Sequence, residues 1–150
     1  MLRSVKVRDY MTTHLIVFHP ETDLFAAIDT LLTNHISGAP VVNSKGKLVG
    51  ILSELDCLKN IVTGSYYDYE SLGGTVEEFM VTDVQTVSPD IDILNIADRF
   101  MNERRRRFPV IEDGKLVGQI SRKDILRAVR DFVGTGQINK KKKSKVKNTA

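Results

Sequence analysis

The sequence predicts a mixed α/β (α+β) protein in which two β-α-β-β-α repeats, related by a pseudo-twofold, pack as one module. Three observations carry this expectation. First, the 150-residue chain repeats itself: Met11-Thr12-Thr13 returns as Met80-Val81-Thr82, and Pro20-Glu21-Thr22-Asp23 returns as Pro89-Asp90-Ile91-Asp92. Ala39-Pro40-Val41-Val42 returns in the same register as Phe108-Pro109-Val110-Ile111. Second, each copy carries the same helical stripe. Third, each copy ends in the same glycine-bounded apolar run. A repeat of this size is one supersecondary unit that buries its apolar face against its neighbour.

Leu15-Ile16-Val17-Phe18 reads as a short buried strand closed by Pro20, which has no N–H to continue a ladder. Asp23 then stands where a helix N-cap belongs. Leu24, Ala27, Ile28, Leu31 and Leu32 follow at the spacing of one apolar helix face. Asp92 precedes Ile93, Ile96, Ala97, Phe100 and Met101 in the same pattern. Pro40-Val41-Val42 leads through a turn at Gly46 to Leu48-Val49-Gly50-Ile51-Leu52. Its counterpart turns at Asp113-Gly114, a strong hairpin signal because glycine accepts the positive φ of the turn. Ser53 and Ser121 open final helices over 55–62 and 125–132, and Gly134 and Gly136 are expected to end the ordered body. The domain reading is therefore repeat 1 over 5–62, a linker over 63–75, repeat 2 over 76–133, and a disordered basic tail over 134–150.

Composition bounds the chemistry. A chain that is 41% hydrophobic and 27% charged is that of a globular protein with a real core. No apolar run approaches the roughly 20 residues that span a bilayer, and the N-terminus lacks a signal-peptide stretch. A cytoplasmic location without a membrane partner is the expectation. Cys57 is the single cysteine, which rules out an internal disulfide. It is better suited to a small buried apolar role than to redox sensing. His14, His19 and His35 have no metal-ligand spacing, so no metal is expected. Six of the 22 basic residues lie between Lys140 and Lys147, and none of the 19 acids lies beyond residue 136. Residues 1–136 thus carry 16 basic and 19 acidic groups, a net charge of −3. The lysine run reads as a solvated end or as a contact for nucleic acid or another anionic surface. Tyr66, Tyr67 and Tyr69 in the linker read as packing residues or as a partner-contacting loop.

The duplicated unit, the Pro-Val start of its central strand and the run Gly-Lys-Leu-Val-Gly closing on Ser-x-x-Asp together resemble a tandem pair of CBS (cystathionine β-synthase) domains, a Bateman module. The resemblance covers about residues 5–132. It implies pseudosymmetric clefts for adenosine derivatives such as AMP, ADP, ATP or S-adenosylmethionine, in a module that regulates another protein and is not itself catalytic. It also implies a homodimer.

The resemblance is sharpest at Gly50-Ile51-Leu52-Ser53-Glu54-Leu55-Asp56 and Gly118-Gln119-Ile120-Ser121-Arg122-Lys123-Asp124. It implies that Asp56 and Asp124 take ribose hydroxyls, a role suited to a carboxylate with two acceptor oxygens, with Ser53 and Ser121 beside them. The same letters also fit a helix capping box, in which serine caps the helix and the acid reaches back. Arg104, Arg105, Arg106 and Arg107 precede Pro109. The family pattern makes Arg106 and Arg107 the phosphate contacts, whereas the simpler reading is a solvated helix end whose cations offset its negative dipole. In the first copy Ser37 and Gly38 take the places of Arg106 and Arg107, so unequal sites are expected. The family further implies that the base lies near Ile16 and Val17 in one copy and Gln85 and Thr86 in the other, close to Pro40 and Pro109.

Two other classes compete. A nucleic-acid-associated protein would use the four arginines and the lysine tail. An enzyme would need a glycine-rich phosphate loop, a nucleophile–base pair or a metal cluster, and the sequence offers none of these motifs. A module of this size is expected to act on a regulated partner chain or through its oligomer.

Overall fold

The computed structural model describes residues 5–63 and 73–144. The tyrosines of the linker and the last lysines of the tail lie outside the described residues. The elements run α1 (Val7–Tyr10), α2 (Leu24–Thr33), β1 (Gly38–Val42), β2 (Leu48–Ser53), α3 (Glu54–Thr63), α4 (Val76–Phe79), α5 (Ile93–Glu103), β3 (Arg107–Glu112), β4 (Lys115–Ser121) and α6 (Arg122–Ser144).

The chain forms two compact units, and neither is continuous in sequence. One contains Met1–Thr13, Thr86–Ile111 and the stretch from Gly118; the other contains His14–Gln85 and Glu112–Val117. Each repeat has therefore given its leading segment to the unit built on the other. In the first unit Val7 N donates to Ile91 O at 2.9 Å, Arg8 N to Pro89 O at 2.9 Å, and Ile93 N to Val5 O at 2.9 Å. In the second, Val76 N donates to Thr22 O, Glu77 N to Pro20 O, and Leu24 N to Gly74 O, all at 2.9 Å. Every partner in one set is the repeat equivalent of a partner in the other. Val7 and Val76 are fully buried, which is what holds helices of only four residues in place.

The helix starts follow the sequence. Asp23 accepts from Ala26 N at 3.0 Å, and Asp92 accepts from Asn95 N at 2.8 Å, each satisfying an orphan donor of the first turn. Leu24, Ala27 and Leu31 of α2, and Ile93, Ile96 and Phe100 of α5, are buried. The last member of each stripe departs from this pattern: Leu32 is 69% exposed and Met101 80%.

The sheets are two-stranded, β1 with β2 and β3 with β4. The expected leading strand over 15–18 shrinks to a single parallel bridge, Phe18 with Val41, matched by Val87 with Val110. Phe18 is the only buried residue of that stretch, and the turn at Pro20 follows at once, so no ladder can extend. Asp113 and Gly114 both take positive φ, 52° and 76°, as the tight hairpin requires.

Two glycines explain a pair of repeated methionines. A Cβ on Gly50 would stand 2.6 Å from Met80 Sδ and 2.9 Å from Val81 O; one on Gly118 would stand 2.7 Å from Met11 Sδ and 3.0 Å from Thr12 O. The missing side chain lets Val81 bridge Ile51 and Thr12 bridge Gln119.

The last helix corrects one expectation. α6 does not stop at Gly134 but continues to Ser144. Two glycines inside a helix cost about 1 kcal/mol each relative to alanine, and the lysines that follow are good helix formers.

Candidate functional site

The repeated Ser-x-x-Asp elements form the starts of α3 and α6. Ser53 N and Ser53 Oγ both donate to Asp56 Oδ2 at 2.8 Å, and Asp56 N donates to Ser53 Oγ at 3.3 Å. Ser121 repeats this with Asp124 Oδ2 at 2.8 Å and 3.0 Å, and Asp124 N returns to Ser121 Oγ at 3.4 Å. The capping-box reading is thus realised in both copies, with aspartate in the place glutamate usually takes. Both carboxylates are buried, Asp56 at 8% and Asp124 at 3% exposure. The box uses one oxygen of each, leaving Oδ1 for another donor.

In the second copy that donor is Arg127, whose Nη2 pairs with Asp124 Oδ1. The aspartate is thereby held by two serine donors and one guanidinium. Arg127 follows Asp124 by three residues on α6, a spacing that faces the two side chains toward each other. This spacing was the signal that could have found it. The first copy has Lys59 at the matching place. Thr12, Ser121, Lys123, Asp124, Leu126 and Arg127 line a cavity of about 440 Å³, within the size range of small-ligand pockets. Thr12 joins it through the exchanged leading segment, which no local pattern reveals: Thr12 N donates to Gln119 O and Gln119 N to Thr12 O, both at 2.9 Å.

The remaining sequence-derived residues divide between the units. Ile16 and Val17 are half-buried and lie in the unit that holds Ser53 and Asp56, as does exposed Gln85. Thr86 is exposed and lies with Ser121 and Asp124. Pro40 and Pro109 are buried, and their carbonyls accept from Phe18 N at 2.9 Å and Val87 N at 3.0 Å. These carbonyls therefore hold the single-residue bridges at Phe18 and Val87. Arg106 is exposed and Arg107 half-buried at the start of β3. The other two arginines are built into the α5 terminus. Arg104 sits in the left-handed region at φ 52°, and Arg105 O accepts from Arg122 Nε at 3.0 Å. Cys57 is buried, and burial first, then the Asp56 charge, raises its thiol above the ordinary value.

Among the described residues, no helix is long and apolar enough to cross a membrane, and no group of three or more His, Cys, Asp or Glu side chains could hold a metal ion.

Fold and site together define a duplicated module: two small antiparallel sheets with flanking helices, each copy starting its last helix on a buried Ser-x-x-Asp box. The chain belongs to the CBS domain family, whose pattern matches residues 7–63 and 76–131. It is similar to the A-adding tRNA nucleotidyltransferase of Aquifex aeolicus, 35% identical over 85% of this chain. The chain spans 15% of that relative's length. The structure of CBSX2 in complex with AMP is similar with a TM-score of 0.76 at 27% identity, over 86% of this chain and 98% of that one. The CBS domain pair of MJ0100, in complex with 5′-methylthioadenosine and S-adenosyl-L-methionine, matches with a TM-score of 0.70 at 26% identity, over 87% of this chain and 98% of that one.

Proposed function

We propose that this chain is a regulatory, non-catalytic module that binds an adenosine-containing nucleotide (AMP, ADP, ATP or S-adenosylmethionine) at its Ser-x-x-Asp helix starts and transmits occupancy to a partner chain or through a homodimer. The observation that carries this reading is the buried aspartate of each box, which keeps one oxygen beyond the cap. In the second copy it opens on a cavity of about 440 Å³ at a helix start. A ribose cis-diol would donate to that oxygen, in the second copy by displacing Arg127, and the helix N-terminus and nearby cations favour phosphate. The ligands named with CBSX2 and MJ0100 are of the same chemical class. Arg106 and Arg107 are the further phosphate contacts of this reading, and the backbone near Ile16, Val17, Gln85 and Thr86 is its adenine contact.

The test is the melting temperature with AMP, ADP, ATP, NADH or S-adenosylmethionine, each variant compared with its own ligand-free form. A ligand at 100 times its Kd stabilises the native state by about 2.7 kcal/mol, a rise of roughly 5–10 °C for a chain of this length. The control is Asp56→Asn/Asp124→Asn, which keeps an acceptor for the cap and removes the charge. A rise that vanishes in the control supports the reading. No rise with any compound overturns it in favour of a nucleic-acid-associated protein, for which α6 carrying lysines as far as Ser144 is the favouring feature. Binding to nucleic acid would then weaken with salt and with deletion of residues 140–150.

A further inference from the structure

Charge is divided unevenly between the two units. The unit that holds α1, α5 and α6 carries 18 of the 22 basic residues and 7 of the 19 acids, a net charge of +11; the other carries 4 and 12, a net charge of −8. Much of the excess lies on α6, with eight cations and two acids among its residues. Both acids are taken. Asp124 is held in its box and by Arg127, while Asp131 accepts from Tyr10 Oη at 3.0 Å and pairs with Arg130 at 3.2 Å. Beyond Asp131 the helix runs on to Ser144 without another acid and with lysine at four successive positions, Lys140–Lys143. The fold does not require this charge, because the equivalent helix α3 has two acids and one lysine.

We propose that the basic end of α6 docks a nucleic-acid duplex through its phosphates, without reading its bases. Position and composition select this partner. Four successive helical positions are spread over about 300° around the axis, so charge surrounds the helix instead of forming one stripe. A helix of about 10–12 Å diameter fits a major groove of about 12 Å, where phosphates flank it on both sides. Lysine is a point charge that neutralises phosphate without the fork geometry that reads base edges. An anionic membrane would meet one side only, and between Gly134 and Ser144 the one apolar side chain to enter it is Ile138. Single strands bind by stacking on aromatic residues, and the same stretch has none. The inference supplies a partner for the regulatory reading above, and rests on that reading only for the partner's role.

The experiment titrates a labelled DNA duplex of arbitrary sequence, followed by fluorescence anisotropy, with the full chain and with Lys140→Gln/Lys141→Gln/Lys142→Gln/Lys143→Gln. The variant removes four charges and keeps residues that favour a helix. The full chain is expected to bind duplexes of different sequence equally, with affinity falling steeply as salt rises. The variant is expected to bind about tenfold or more weaker, with the slope of log affinity against log salt shallower by roughly 3–4, near one for each lysine. Unchanged affinity and slope in the variant, with its helix content kept by circular dichroism, would overturn the proposal. So would binding of the full chain to phosphatidylserine vesicles or polyglutamate but not to the duplex, or binding to none of the three. The melting rise with AMP is followed in both chains. Its absence from both would strike the nucleotide reading; its presence without duplex binding would strike this inference alone.

Discussion

Asp124 divides its two oxygens between different tasks. Oδ2 accepts from Ser121 N and Oγ, and Oδ1 meets the Arg127 guanidinium. The carboxylate is buried while Arg127 is half exposed, with side-chain exposures of 4% and 51%. Arg127 is therefore the partner free to swing. In the proposed reading, a ribose hydroxyl that takes Oδ1 displaces the guanidinium from its anion, and a ligand carrying phosphate offers it a new one. A neutral nucleoside offers none. Arg127→Ala is thus expected to weaken AMP and to leave adenosine unchanged or tighter, so that the ratio of their affinities falls about tenfold, roughly 1.4 kcal/mol. Titration calorimetry with both compounds measures it, and equal loss for the two would mean that Arg127 only supports the helix. Arg127 was not legible as a site residue because an i, i+3 ion pair on a helix is usually a surface detail. It gains meaning from the burial of Asp124.

Among the elements, the leading segments meet the strands through the gaps at Gly50 and Gly118. Methionine sulfur can move aside from an added Cβ, but the backbone oxygens of Val81 and Thr12, at 2.9 and 3.0 Å from it, cannot move without breaking their bridges. Gly50→Ala and Gly118→Ala should each cost roughly 1–3 kcal/mol through overpacking, seen as a fall in denaturation midpoint at unchanged slope. Gly118→Ala should also weaken ligand binding, because Thr12 lines the cavity; full stability in both variants would refute the close-approach account. Much of this level was legible in the sequence. The caps Asp23 and Asp92, the Asp113-Gly114 turn and the Ser-x-x-Asp helix starts each signal themselves within four residues of chain. The leading strand and the end of α6 were not. An apolar run of four residues does not reveal that only Phe18 finds a ladder partner, and glycine in a helix is a cost that neighbours can offset.

At the scale of the whole molecule, the repeat seen in the sequence is not the unit that packs. Boundaries at 5–62 and 76–133 follow the repeats, whereas α1 belongs with α5, β3 as far as Ile111, β4 from Gly118 and α6, and α4 with α2, β1, β2 and α3. Periodicity cannot show this, because exchanging two equivalent segments leaves every local pattern unchanged. It has an energetic consequence that separates the two descriptions. Val7 is fully buried and its N–H binds Ile91 O, so Val7→Ala opens a cavity in the unit of the second repeat. Truncating a buried aliphatic side chain costs about 2 kcal/mol or more, with the loss felt by the atoms that lined it. Amide hydrogen exchange resolves such local losses from global unfolding. Val7→Ala is expected to speed exchange in β3, β4 and the first turns of α6 by about tenfold or more, while β1 and β2, nearer in sequence, keep their protection. Faster exchange confined to β1 and β2 would contradict the exchanged arrangement, and equal acceleration everywhere would mean that both units open as one.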